Sequence, residues 1–320
     1  MSLSKAIGGY FGLEIQQWES YHKNVTALNT GRNAFEYILK ARKYTHIYIP
    51  YYTCEVLLEP IRKLNISYNF YSINEKLEPI LLTGIKSNSA YLYTNYFGLK
   101  TGFIKQLAAI VPNLIIDASQ AFFEKPLAGI DTFYSPRKFF GVPDGGYASC
   151  DIKLLADFEE DNSVNRFSHL ITRIDKSAEE GYADFKRSEL SLGDQPIKKM
   201  SKLTTALLNS IDYQKCLDKR NENFHYLHSF LKEKNVLQWI TEDMVNGPLV
   251  YPFYAKDIGL RKRLFDNNIY TAQYWPEVLE LVSSISSEFK FVNNIINIPI
   301  DQRWSKDDLK KIVNIISNEY

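Results

Sequence analysis

The sequence predicts an α/β fold, with a large lobe on a mostly parallel sheet and a smaller α+β lobe after it. Three observations predict it. Through the first half, short β-rich runs alternate with helical patterns, the mark of βαβ units. The length of 320 residues fits about two domains at roughly 150 residues each. From Met200 onward the alternation gives way to longer helical periodicity.

Taken in order, the expected strands are His46–Pro50, Ser67–Ile73, Ala90–Tyr96, Leu114–Ala118, Asp131–Tyr134 and Gly146–Cys150. Between them lie apolar residues at helical spacing, such as Phe35, Ile38 and Leu39, or Ile104, Leu107 and Ala108. Right-handed crossovers would gather the loops after the strands on one sheet edge, where α/β proteins place their sites. Asp151–Pro196 is polar and less regular. Met200–Lys234 reads as helical, Leu249–Tyr254 as a strand and Ile258–Asn268 as a helix. A last helix is expected over Ser305–Ser317, with Ser305 as N-cap and Asp307 and Asp308 in the first turn. The division is a large domain with an N-terminal arm over 1–205 and a small domain over 206–320.

Composition narrows the function classes. Lys plus Arg is 38 and Asp plus Glu is 37, a formal charge of +1. Nucleic-acid backbone binding needs a basic surplus, so it is not expected as the main activity. The cysteines are Cys54, Cys150 and Cys216, an odd number without a C-x-x-C pair. They form neither a disulfide framework nor a zinc ribbon, which suits a reducing cytoplasm. Met1–Trp18 lacks an apolar signal region, and no apolar run reaches the ~18 residues that span a bilayer. Gly8-Gly-Tyr-Phe-Gly12 follows no strand, so it is not a dinucleotide fingerprint. The five histidines have no metal-ligand spacing with acids, and no metal is expected.

Three segments could carry chemistry. In Leu114-Ile-Ile-Asp117-Ala-Ser-Gln120 an apolar strand ends in an acid, placed to meet a ligand at the sheet edge. Alone, Asp117 reads first as a cap for the next segment. In Ser135-Pro-Arg-Lys138-Phe-Phe-Gly141 an amine sits among aromatics, before the glycine pair Gly145-Gly146. Apolar surroundings favour a neutral, nucleophilic amine. A hydroxyl and a cation beside it suit a phosphate-bearing carbonyl cofactor, and a loop lysine at the surface is the plain alternative. In Asn29-Thr-Gly31-Arg-Asn33, Asn29 or Thr30 can cap a helix whose free amides attract an anion, with Gly31 permitting close approach. Most capped helices bind nothing.

Together the three segments resemble the DegT/DnrJ/EryC1/StrS sugar aminotransferases, pyridoxal-phosphate (PLP) enzymes of fold type I. The resemblance runs nearly end to end. Asp117-Ala-Ser-Gln120-Ala121 is similar to the family's Asp-Ala-Ala-Gln-Ala, and Lys138 with Gly145-Gly146 to its lysine and Gly-Gly run. Tyr48-Ile-Pro50 with Thr53, and Asn95-Tyr-Phe-Gly98, resemble its strand before a Thr-led helix and its His-Leu-Tyr-Gly segment. Met200-Ser201-Lys-Leu203 with Lys219-Arg220, and Ile298-Pro299-Ile300, resemble its entry to the small lobe and its C-terminal Leu-Pro-Leu.

The resemblance implies a role for each matched residue. Lys138 would form the Schiff base, and Asp117 would keep the pyridine nitrogen protonated. Gln120 would lie beside the ring, and Thr30, Gly31, Arg32 and Ser135 would hold the phosphate. Cys54 stands where the family often has a ring-stacking aromatic, with Tyr52 or Tyr96 as substitutes. Asn95 replaces the family's histidine, Gln195 is the candidate for its partner-subunit asparagine, and Thr132 competes with Ser135 for the phosphate. The implied protein is a cytoplasmic homodimer with sites at the interface. It would move an amino group from an amino acid, glutamate in the family, to a keto sugar on a nucleotide. Two rivals stand beside it: PLP chemistry of another kind, such as elimination, and a non-catalytic binder of PLP or a nucleotide sugar. In the related sugar dehydratases histidine replaces the lysine, so Lys138 speaks against that branch.

Overall fold

The structure is a computed structural model and describes residues 7–80, 88–257 and 259–317. A short strand, β1 (Thr26–Leu28), leads into helix α1 (Gly31–Arg42). The Thr30 hydroxyl accepts from the Asn33 amide at 3.0 Å and starts the helix. Lys43, in the left-handed region at φ 57°, ends it. Then follow β2 (His46–Pro50), α2 (Leu58–Lys63), β3 (Ser67–Tyr71), β4 (Ser89–Thr94), α3 (Thr101–Ile110), β5 (Leu114–Asp117), β6 (Asp131–Tyr134) and β7 (Gly146–Ser149).

These seven strands form one sheet in the order β1-β7-β6-β5-β4-β2-β3. The pairs from β3 through β6 are parallel, and β7 runs antiparallel to both β6 and β1. The carboxyl ends of β1, β5 and β6 and the start of β7 therefore meet at one edge. Alternation along the strands sorts the two faces. Ile47, Ile49, Ala90, Leu92, Ile115 and Phe133 pack beneath α1 and α2. Tyr48, Tyr91, Tyr93, Ile116 and Tyr134 face the other way, into a core that continues through Leu208, Tyr213 and Phe224 to the C-terminal segment.

Two helices, α4 (Ser168–Asp175) and α5 (Tyr182–Leu190), cross the stretch read as irregular. They were hidden because most of their faces stay exposed, so the apolar stripe is thin. Next come α6 (Lys202–Leu208), α7 (Tyr213–Leu231), β8 (Val250–Tyr254), α8 (Leu260–Asp266), α9 (Ser287–Asn294), β9 (Ile295–Pro299) and α10 (Lys306–Ser317). Residue 205, the expected junction, lies inside α6. β8 and β9 pair antiparallel, and α7 packs on α10. Ser305 caps α10 as expected, its hydroxyl accepting from the Asp308 amide at 3.3 Å. Arg220 on α7 is buried and donates to the carbonyls of Pro248, Leu249 and Phe139, which ties this lobe to the loop after β6.

The expected strands keep their places with small end shifts: β4 starts one residue early at Ser89, and Ala118 and Cys150 fall just past the ends of β5 and β7. Ile73 and Tyr96 fall outside theirs, and Tyr96 belongs to a 3₁₀ turn over Tyr96–Gly98. β1 was missed because three residues are too few to show a period. Of the segments read from sequence, Met1–Ala6 and Ile258 lie outside the described residues.

Candidate active site

The sheet edge brings the three chemistry-bearing segments together. β5 ends in Asp117, whose carboxylate Oδ1 accepts from the Ser119 amide at 2.8 Å. The chain thus turns at once, and Asp117 stays buried at the strand end. β6 leads to Ser135 and a 3₁₀ turn over Pro136–Lys138. There the Lys138 amide donates to the Ser135 carbonyl at 3.2 Å and the Phe140 amide to the Pro136 carbonyl at 3.0 Å. The turn presents Lys138, whose Nζ donates to the Ser119 hydroxyl at 3.0 Å. Ser119 therefore links the acid to the amine.

The helix start is held by the glycine pair. The Gly145 amide donates to the Asn29 carbonyl at 2.7 Å, with Gly145 at φ +112°. A Cβ on Gly146 would lie 2.2 Å from the Thr30 carbonyl oxygen, so only glycine lets β7 approach the first turn of α1. A Cβ on Gly31 would meet the Ser135 Cβ at 3.2 Å. Ser135 and the first amides of α1 are thus direct neighbours.

These groups line a cavity of about 170 Å³, walled by Thr30, Gly31, Arg32, Cys54, Asp117, Ser119, Ser135 and Lys138, with Arg137, Glu189 and Leu192 closing one side. Seven of the eight residues assigned from the sequence thus line one cavity. Gln120, the eighth, is not in the lining: its Oε1 accepts from the Phe97 amide at 2.6 Å and braces the turn beneath β4. Phe97 sits there at φ 59°.

Several secondary expectations are corrected. Tyr52 and Tyr96 do not stand in for a ring-stacking aromatic. Both are buried, stacked on each other and edge-on to Trp275, away from the cavity. Cys54 lines the cavity, and burial raises its thiol pKa, with Lys138 pulling the other way. Lys138 is exposed rather than desolvated, because Phe139 and Phe140 turn into the core. Asn95 accepts from the Lys100 amide and donates to Thr101, closing the turn before α3. The Thr132 hydroxyl donates to the Ile130 carbonyl and is not in the lining. Gln195, whose expected role concerns a second copy of the chain, donates to the Ser191 carbonyl of its own chain.

Arg137 is the cation that the sequence placed beside Lys138, and it does line the cavity. Sequence reasoning missed Val56, Leu57, Ser119, Phe133, Glu189 and Leu192 as lining residues; Ser119 lies inside the quoted Asp117 motif, so adjacency was the available signal there. Glu189 and Leu192 come from α5 and its following turn, and only the fold brings them here. Two ion pairs border the cavity: Arg32 with Glu59 at 2.5 Å, and Arg137 with Glu189. Burial lowers the Arg137 pKa to about 10. Asp144 opposes the shift, while Arg32 and Arg166 add to it. The guanidinium remains charged at neutral pH.

The fold matches that of solved sugar aminotransferase structures. The solved structure of sugar aminotransferase CalS13 from Micromonospora echinospora has this fold at TM-score 0.64 and 14% identity, covering 93% of this chain and 88% of that one. A DegT DnrJ EryC1 StrS aminotransferase from Brucella abortus matches at 0.63 and 14%, covering 92% and 86%. NtdA from Bacillus subtilis, solved with bound cofactor PMP, matches at 0.64 and 13%, covering 92% and 72%. At these identities the likeness is one of fold. No family model matches the chain, and no curated protein matches it.

The residues fit a pyridoxal phosphate. A phosphate needs free backbone amides and close approach, which the start of α1 supplies beside the Ser135 hydroxyl. An aldehyde needs an accessible amine, and Lys138 is exposed at the cavity. A pyridine nitrogen needs a carboxylate to keep its proton, and the lining holds Asp117.

Proposed function

We propose that this protein is a PLP-dependent aminotransferase, moving an amino group from an amino acid, glutamate, to a keto sugar carried on a nucleotide. The observation that carries the reading is the convergence of Lys138, Asp117 and the α1 start with Ser135 on one cavity. When bound, PLP supplies an electron sink for the bonds at the carbon bearing the amino group. Lys138 Nζ would anchor the cofactor and is the amine placed to carry a proton to and from the donor α-carbon. Ser119 accepts from that Nζ and orients it. Asp117 holds a proton at the pyridine nitrogen by charge. Thr30, Gly31, Arg32 and Ser135 hold the phosphate, and Cys54 packs along one wall.

The division at residue 205 and the homodimer belong to the same reading. An arm with Ile7, Tyr10, Phe11 and Leu13 fully or largely exposed supports a second copy as its cover. Among the described residues no helix is long and apolar enough to cross a membrane, which agrees with a cytoplasmic enzyme.

Two measurements test the reading. Borohydride reduction of the PLP-loaded protein followed by peptide mapping is expected to label Lys138, and label elsewhere would overturn the anchor. Incubation with PLP and glutamate is expected to convert the cofactor to its pyridoxamine form. Retention of the pyridoxal form would favour a non-catalytic binder, and formation of an eliminated product would favour the other chemistry.

A further inference from the structure

Around the phosphate end of the cavity the charges are arranged unequally. Arg32 and Arg137 both line the cavity, and each is matched by a carboxylate. The two carboxylates differ. Glu59 is fixed twice, by Arg32 at 2.5 Å and by the Asp194 amide at 2.9 Å, and it lies outside the cavity lining. Glu189 lines the cavity, its side chain is 39% exposed, and Arg137 is its one side-chain partner among the described residues. It also occupies the last turn of α5, where the helix dipole disfavours a negative charge. Glu189 therefore faces Arg137 at the cavity while its place at the end of its own helix disfavours its charge.

We propose that Arg137 is a phosphate-binding residue of this cavity and that Glu189 competes with the phosphate for it. A carboxylate brings one charge. A phosphate monoester brings nearly two charges and three acceptor oxygens, matched to a guanidinium fork. The ester takes Arg137, and Glu189 swings to the solvent it already half reaches. The affinity for the phosphate end is then set by the difference between the two pairings, and the carboxylate lowers it. The inference rests on the proposed function only in taking the phosphate to be the cofactor's.

The test uses the full-length protein and three probes: inorganic phosphate, PLP and pyridoxal. Glu189→Gln and Glu189→Ala are expected to bind phosphate and PLP about ten-fold tighter, the size of one released charge-assisted bond. Pyridoxal, which lacks the phosphate, is expected to bind as before. Glu180→Gln, just before α5 and paired with Lys176, controls for a general change of surface charge and is expected to leave all three affinities alone. In an Arg137→Gln background the gain from Glu189→Gln is expected to vanish, because the two residues act as one coupled pair. Unchanged phosphate affinity in both Glu189 variants overturns the proposal. So does a gain that survives Arg137→Gln, or one that Glu180→Gln reproduces. Phosphate titration needs neither Lys138 nor turnover. A protein that fails to anchor PLP but gains phosphate affinity in Glu189→Gln would refute the function and keep this inference.

Discussion

The two ends of the cavity are built from different material. At the phosphate end the positions are set by backbone: the first turn of α1 lies against Gly146, where a Cβ has no room, and against Ser135, where a Cβ on Gly31 would be tight. At the reactive end they are set by side chains, in the chain Asp117, Ser119 and Lys138. A site made of backbone tolerates almost no change in shape. A site made of side chains tolerates shape changes and is sensitive to charge. Substitutions at the first end should act on folding and affinity, and at the second on turnover.

The largest effect is expected at Gly146. An added methyl would overlap the Thr30 carbonyl and the Gly31 amide, both backbone atoms that no rotamer change can move. Either β7 leaves β1 or α1 loses its first turn. Gly146→Ala is expected to cost about 3 kcal/mol or more, read by chemical denaturation, with PLP binding lost in whatever folded fraction remains. A fully stable Gly146→Ala that binds PLP normally would mean that the backbone end is softer than its contacts imply.

At the reactive end, Asp117→Asn keeps the shape and removes the charge. The amide oxygen can still accept from the Ser119 amide, so the turn and the cavity survive. An amide cannot hold a pyridinium proton by charge. The variant is expected to bind PLP near normally and to lose on the order of 10²-fold in the rate of conversion by glutamate, the scale of removing one preorganised electrostatic group. Equal activity in Asp117→Asn would break the contrast between the two ends.

The same contrast explains what the sequence made legible. Strand and helix periods placed the sheet, and the carboxyl-edge rule placed the loops. Thr30, Gly31, Asp117, Ser135 and Lys138 could be found because each lies at the end of a periodic element. Glu189 and Leu192 could not, since α5 is largely exposed and far along the chain, and nothing local says that it folds back over Arg137. Tyr52 and Tyr96 point away from the cavity, and Gln120 lies outside its lining, for a related reason. Their motif neighbours reach the cavity, but their side chains alternate into the core or close a turn, and alternation near a strand end shifts with a single residue. The desolvated Lys138 failed similarly, because adjacency to Phe139 and Phe140 in sequence is not adjacency of side chains.

The smallest expected effect separates two hydroxyls at the phosphate end. Ser135 lies in the cavity lining, against the Gly31 position. Thr132 lies three residues earlier within β6, buried, with its hydroxyl donated to the Ile130 carbonyl at 3.3 Å. A donor to a charged phosphate is worth roughly 1.5–3 kcal/mol, which corresponds to about ten-fold or more in affinity. Ser135→Ala is therefore expected to weaken PLP binding about ten-fold without abolishing it, because Lys138 still anchors the other end and the α1 amides remain. Thr132→Ala is expected to leave PLP affinity within about two-fold and to lower stability only slightly, since its hydroxyl serves the strand end. Both variants should keep the turnover of the loaded enzyme, because neither hydroxyl touches the reactive end. Titration of PLP into the two proteins decides the assignment. A loss in Thr132→Ala with none in Ser135→Ala would move the phosphate off the α1 start and toward the interior of β6.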